Sequence, residues 1–280
     1  MLEVKQLSIH FADCGVREEA VREVSFTMKP AEILGIVGES GSGKTLTALT
    51  IAGLLKTNAR LESGEILLEG TNLLALNRKE WRNYQGNEIS MIFQEPMTAL
   101  NPTMKIGRQV EEVLLLHTNL SKEERKQRVL KAMEDVELEH PEILYRKYPH
   151  ELSGGMRQRV MIAAAIVCRP KLLIADEPTT ALDVNTQESI LQLLRKLNQK
   201  YQVGILFISH NLRVIKSLCE NVLVMKEGRI IERGKTEEIF EFPKQEYTKQ
   251  LIAAIPTRTG QNKYYELLMQ KQVHKCGKKC

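Results

Sequence analysis

Eight residues, Gly38-Glu39-Ser40-Gly41-Ser42-Gly43-Lys44-Thr45, constrain this chain more than any other stretch. They follow a short apolar run, Ile33-Leu34-Gly35-Ile36-Val37, and precede residues 46–55, which read as a helix. In the order strand, glycine-rich loop, helix, the pattern G-x-x-x-x-G-K-[ST] is a phosphate cradle. Glycine lets the backbone curl until several N–H groups point at one anion. The helix adds its positive end. Lys44 can reach the β- and γ-phosphates of a nucleotide, and Thr45 can offer its hydroxyl to Mg²⁺.

The rest of the chain supplies a frame for that loop. Residues 2–11 alternate as a strand, residues 13–19 read as a polar turn, and residues 20–28 alternate again. Residues 64–70 form a short strand bounded by glycines. Between residues 98 and 158 the pattern turns helical, and Ser121 followed by Glu124 is a capping box opening a helix to about residue 136. Residues 156–167 and 185–201 read as helices. The apolar runs 171–176 and 203–208 read as buried strands, and residues 222–225 and 229–232 as a hairpin. Apolar strands alternating with helices predict a mostly parallel sheet covered on both faces.

Two further stretches carry chemistry. The run Leu173-Ile174-Ala175-Asp176-Glu177 ends a strand in carboxylates, at the ligand edge of a parallel sheet. Asp176 can hold Mg²⁺, directly or through water, and Glu177 can orient or deprotonate an attacking water. Leu152-Ser153-Gly154-Gly155 opens the helix near Met156. Its hydroxyl, its exposed N–H groups and the helix end make a second anion site, although Ser-Gly-Gly alone is also an ordinary N-cap with glycines.

At this point the sequence closely resembles the nucleotide-binding subunits of ABC transporters, over residues 2–255. Residues 38–45 match the Walker A loop, residues 172–177 the Walker B strand, and residues 152–158 the signature motif. Gln94 matches the Q-loop, Ala181-Leu182-Asp183 the D-loop, and His210 the switch histidine. The resemblance implies an α/β fold: a P-loop NTPase core with a mostly parallel sheet, an N-terminal antiparallel β-subdomain and an inserted α-helical signature subdomain. It implies a nucleotide-binding domain over residues 1–255, with core segments 1–94 and 159–240 and a helical subdomain over 95–158. Residues 256–280 are then a basic tail.

The same resemblance implies the activity and the roles. ATP with Mg²⁺ is hydrolysed between two subunits packed head to tail, so closure of the pair completes each site and couples turnover to movement. Gly38, Glu39, Ser40, Gly41, Ser42, Gly43, Lys44 and Thr45 hold the phosphates. Thr45, Gln94 and Asp176 reach Mg²⁺. Glu177, His210 and Gln94 serve the attack of water. Leu152, Ser153, Gly154, Gly155 and Gln158 are assigned to ATP held by the partner subunit, and Asp183 faces that partner. An aromatic residue of the first sheet stacks on adenine in this family; Phe11 matches by position, and it is equally an alternating core residue of its strand.

The run Gln94-Glu95-Pro96-Met97-Thr98-Ala99-Leu100-Asn101-Pro102 resembles the peptide/nickel importer branch, as do residues 174–184 and 242–251. In that branch two different ATPase subunits usually serve two membrane permeases, fed by an extracytoplasmic binding protein. This chain looks more like the first of the two, and Met156-Arg157-Gln158-Arg159 looks more like peptide members than nickel members. The implied location is peripheral, at the cytoplasmic face of the membrane, without a nucleic-acid partner. Soluble ABC ATPases of DNA repair or translation are the rival class; they usually carry two cassettes or a long coiled-coil insertion, and neither is read here. A regulatory module without turnover would not need Glu177 and His210.

Composition agrees with a peripheral protein. No apolar stretch approaches the ~18 residues of a membrane span, and residues 1–5 do not read as a signal peptide. The net charge of +5 lies in the tail, where residues 256–280 hold six Lys or Arg and one Glu. Five scattered cysteines, Cys14, Cys168, Cys219, Cys276 and Cys280, are not a disulfide framework. Peptide members often end in a cysteine-containing extension, in several of them around an iron–sulfur cluster. Here His274, Cys276 and Cys280 supply only two cysteines, so a frayed tail is expected rather than a cluster.

Overall fold

The computed structural model describes residues 1–13, 16–55, 57–94, 99–180 and 182–255. Cys14, residues 95–98, Ala181 and the tail with Cys276 and Cys280 lie outside them.

Six strands form the central sheet: β3 (Ile33–Val37), β6 (Ile89–Ile92), β7 (Leu172–Asp176), β8 (Gly204–Ile208), β9 (Asn221–Lys226) and β10 (Arg229–Lys235). Their order is β10-β9-β3-β8-β7-β6, and every pair except β9–β10 is parallel. Strand residues alternate between faces, so a strand buried on both sides reads as one apolar run. In β7 and β8, Leu172, Ile174, Leu206 and Ile208 pack to one side. Leu173, Ala175, Ile205 and Phe207 pack to the other. Each face therefore has its own core.

The first core lies under α1 (Lys44–Ile51) and an antiparallel sheet made of β1 (Leu2–Asp13), β2 (Val16–Met28), β4 (Ala59–Leu68) and β5 (Thr71–Asn72), in the order β2-β1-β4-β5. Here the structure corrects the polar turn expected over residues 13–19, because β1 runs on to Asp13 and β2 starts at Val16. Register pairs such as Phe11 with Glu18 carry the ladder into that polar sequence. The segment α2 (Arg78–Tyr84), absent from the sequence reading, follows an Asn77–Glu80 capping box and buries none of its residues.

The second core is covered by helices. α3 (Ile106–His117), α4 (Lys122–Asp135), α5 (Pro141–Leu144) and α6 (Gly154–Ile166) cluster through Val110, Leu114, Val129, Met133 and Ile162. The capping box expected at the start of α4 is present: Ser121 accepts from Glu124 N–H at 3.3 Å, and Glu124 accepts from Ser121 N–H at 2.7 Å. Buried Glu111 of α3 is matched by Arg125 at 3.0 Å and by the Tyr145 hydroxyl at 3.0 Å. α7 (Val184–Tyr201) and α8 (Leu212–Leu218) complete this face, followed by α9 (Thr236–Glu241) and α10 (Glu246–Ala253). Among the described residues no helix is long and apolar enough to cross a membrane.

Candidate active site

The site lies at the carboxyl ends of the parallel strands, where the chain leaves the sheet for its loops. β3 runs straight into residues 38–43, and α1 starts at Lys44. Two glycines are required by the geometry. A Cβ on Gly38 would stand 2.2 Å from the Met225 carbonyl oxygen, so the loop passes directly against the end of β9. Gly43 caps α1 at φ 96°, and a Cβ there would stand 2.7 Å from the Ala20 carbonyl oxygen. No side chain caps α1, so its first N–H groups stay available to an anion.

Lys44 is buried, and its ammonium donates to Gly38 O at 2.8 Å and Glu39 O at 2.7 Å. Burial lowers its pKa, opposed by the charges of Glu177, Asp176 and Glu39. The Thr45 hydroxyl donates to Asp176 Oδ1 at 3.2 Å. Burial pushes the Asp176 carboxyl up and the Glu177 charge adds to this, while Thr45 and Lys44 pull it down. A divalent cation between Thr45 and Asp176 would relieve that burial, so the donor pair fits Mg²⁺ carried in by a nucleotide. Among the described residues no group of three His, Cys, Asp or Glu could hold a metal alone.

Glu177 follows β7 with φ 48°, a conformation that turns its side chain off the strand. Its N–H is tied to Ile208 O at 2.9 Å. Oε1 lies 2.9 Å from His210 Nδ1. Oε2 accepts from Gln94 at 3.2 Å and from the Thr180 hydroxyl at 3.0 Å. Thus Gln94, Glu177 and His210 meet at one carboxylate. Thr180 is a partner that the sequence reading missed; a hydroxyl three residues after the glutamate was its only signal.

Gln94, Glu177 and His210 line one cavity of about 730 Å³, together with Phe11, residues 38–41 and 43–45, and Leu251 of α10. Phe11 is half-buried, lines the cavity and also packs against the first core. Leu251 was not read as a site residue; within the sequence it is an apolar position of an amphipathic helix.

The signature residues stand elsewhere, and none of them lines the cavity. Ser153 caps α6 through Met156 N–H at 3.3 Å, and Gly154 is exposed with open space where a Cβ would be. Gly155 approaches Thr186 so closely that a Cβ would be 3.0 Å from its methyl group. Two members of this group need correction as ligand-facing residues. Leu152 is packed in the second core, and Gln158 is fully buried with its amide donating to Pro178 O at 2.6 Å. Both hold the loop from within the chain. Asp183 is exposed and caps α7, accepting from Thr186 N–H at 3.0 Å and its hydroxyl at 2.7 Å. Those bonds hold its carboxyl below the usual range. Cys219 is buried, with its thiol pushed well up by burial, and Cys168 is half-buried.

Known proteins resemble this chain in sequence and fold. The sequence model of the family described as ABC transporter matches residues 21–180. The oligopeptide transport ATP-binding protein OppD of Bacillus subtilis is 49% identical over 258 residues, covering 92% of this chain and 72% of that one. The dipeptide transport ATP-binding protein DppD of Lactococcus lactis is 46% identical over 258 residues, covering 92% and 74%. Among solved structures, a dimeric post-hydrolysis state of the ATP-binding cassette MJ0796, bound to ADP and Pi, superposes with a TM-score of 0.75. It is 30% identical and covers 84% of this chain and 99% of that one. With its phosphate loop, its strand-end carboxylates and these relatives, the chain belongs to the ATP-binding subunits of the ABC transporter family.

Proposed function

We propose that this chain is one of two ATPase subunits of an importer for di- and oligopeptides, working at the cytoplasmic face of a membrane beneath two permeases. The observation that carries the hydrolytic reading is the Glu177 carboxylate, held by Gln94, Thr180 and His210 at the edge of the cavity that Lys44 enters. The peptide reading rests on relatives named as oligopeptide and dipeptide transport proteins, at 46–49% identity over nearly the whole chain.

In this reading residues 38–45 wrap the triphosphate, with the N–H groups of the loop and of α1 facing it. Lys44 gives up part of its contact with Gly38 and Glu39 to reach the β- and γ-phosphates. Thr45 and Asp176 would hold Mg²⁺ carried in with ATP, and the ion would supply charge neutralisation at those phosphates. Glu177 orients a water and takes its proton as the water oxygen attacks the γ-phosphorus. The bond to the bridging oxygen breaks, and its electron pair leaves with ADP. His210 holds the carboxylate at Oε1, and Gln94 ties the same carboxylate to the segment that leads into the helical subdomain. Ser153, Gly154 and Gly155 of this chain reach the γ-phosphate of ATP held by the second subunit, in keeping with a signature loop that does not line its own cavity. ATP binding and hydrolysis then close and open the pair, and the permeases follow.

The test is assembly and transport. The chain is expected to co-purify with two membrane permeases and a second ATPase subunit, and a peptide-loaded binding protein should raise ATP turnover of that complex. Deletion should abolish uptake of labelled di- and oligopeptides and leave nickel uptake intact. Full-rate hydrolysis by the chain alone, without a membrane partner, would defeat the importer reading.

A further inference from the structure

The phosphate loop is touched by a residue that lies beyond residues 21–180, the segment matched by the family model. The peptide group between Gly38 and Glu39 is held at both ends. Its carbonyl accepts from the Lys44 ammonium at 2.8 Å. Its N–H, on Glu39, donates to the Tyr247 hydroxyl oxygen at 3.0 Å. A peptide group is planar and turns as one body, so fixing its N–H also fixes its carbonyl. Each bond polarises the group toward the other.

Tyr247 is itself held from several sides. Its side chain is buried in α10, with the Lys226 ammonium 4.9 Å from the ring centre. The turn into α10 is fixed by Glu232 of β10, which accepts from Lys244 N–H at 2.7 Å and Gln245 N–H at 3.0 Å. One helical turn past Tyr247, on the same face, Leu251 lines the nucleotide cavity. The same stretch of loop passes the end of β9, where a Cβ on Gly38 would stand 2.2 Å from the Met225 carbonyl oxygen.

We propose that Tyr247 is a positioning residue for Lys44: its hydroxyl sets the tilt of the 38–39 peptide, and with it the place where the ammonium waits for the phosphates. The proposal rests on residues 38–45 being the ATP cradle. A buried ammonium depends on its oxygen partners, and Gly38 O is one of the two carbonyls that Lys44 uses. Without the Tyr247 hydroxyl the peptide can rotate, the carbonyl leaves its line to Lys44, and the loop must be reordered by each arriving nucleotide.

Tyr247→Phe removes one oxygen and keeps the ring, so it tests the hydroxyl alone. Binding of MgATP to the full chain is measured by titration calorimetry, and turnover in the assembled complex. Both Kd and KM for MgATP are expected to rise roughly fivefold, the effect of one neutral hydrogen bond. Turnover at saturating ATP should stay within about twofold, because the reacting groups are untouched. The melting temperature without nucleotide should not move, whereas the shift produced by MgATP should shrink. Unchanged affinity in Tyr247→Phe, with wild type binding normally, overturns the proposal and leaves the cradle reading standing. So does a loss of affinity that tracks an equal loss of unliganded stability. A wild-type chain that does not bind MgATP overturns the cradle reading and the proposal with it.

Discussion

His210 Nδ1 stands 2.9 Å from Glu177 Oε1, across 33 residues of sequence. A carboxylate can only accept, so the contact requires Nδ1 to carry a hydrogen. Two strand ends make the meeting possible: Glu177 follows β7, His210 follows β8, and those strands pair in register up to Asp176 and Ile208. Replacing Glu177 by Gln keeps the shape and removes the base. Turnover in the assembled complex is expected to fall by about a hundredfold or more. MgATP binding should persist, and an ATP-bound dimer should accumulate on size-exclusion chromatography. Normal turnover in Glu177→Gln would remove the glutamate from the reaction.

Thr180 gives a subtler prediction. Its hydroxyl donates to the oxygen that Gln94 also reaches, so it aims the carboxylate without entering the cavity lining. Thr180→Val keeps the branched shape and removes the donor. Turnover is expected to drop by roughly tenfold, as for loss of one hydrogen bond to a charged group, with KM for ATP unchanged. Thr180→Ser restores the hydroxyl and should restore most of the rate. An equal loss in both variants would point to packing instead.

Much of this arrangement could be read from the chain because the parallel core leaves a strong trace. Ile33–Val37, Leu172–Asp176 and Gly204–Ile208 are buried along their whole lengths, so each appears as an apolar run; β7 ends in Asp176, β3 leads straight into Gly38, and His210 lies two residues past β8. The four residues of β6 carry no such run, since a serine interrupts them. α2 was invisible to periodicity because none of its residues is fully buried, although Trp81 and Tyr84 pack partly against the first core. The ends of β1 and β2 are polar and looked like a turn. Within the site, the glycine-rich loop with Lys44 and the strand-end pair Asp176 and Glu177 named the chemistry, and the family resemblance added His210. Neither revealed Thr180 or Tyr247, because a hydroxyl or an aromatic ring gains meaning only from what it touches. Glu39 and Tyr247 are 208 residues apart. Gln158 was misplaced for the opposite reason: membership of a motif says nothing about whether a side chain faces out or in.

The anchor of α10 should be sensitive to pH. Burial alone would raise the Glu232 carboxyl, but the N–H groups of Lys244 and Gln245, with the Lys244 charge, hold it below the usual range. The folded chain then binds this proton less readily than the unfolded chain, so stability rises with pH across that interval. The contribution is complete above the ordinary glutamate value, about 4.3, and is lost as pH falls through the lower folded value. Wild type should therefore melt higher than Glu232→Gln at pH 7, and the gap should narrow as pH falls below the ordinary glutamate value. A gap in melting temperature that stays constant over that range would show that the charge of Glu232 is not what fixes the turn into α10.

Gln158 links the signature helix to the catalytic strand end from inside the protein. Its amide donates to Pro178 O at 2.6 Å, one residue past Glu177, and the side chain is completely buried. Gln158→Leu fills similar space but leaves that carbonyl without its donor. A buried acceptor stripped of its partner costs about 1–3 kcal/mol. The urea midpoint should fall accordingly, with the slope of the transition unchanged. Turnover should fall as well, because Pro178 fixes the backbone from which Glu177 and Thr180 project. Ser153→Ala offers the contrast. Its side chain is exposed and its loss removes only a helix cap, worth about 1 kcal/mol. Its main effect should appear in the paired subunits, as lost turnover with normal MgATP binding to the single chain. If Gln158→Leu were as stable as wild type, the buried amide would not be what joins the signature loop to the Glu177 backbone.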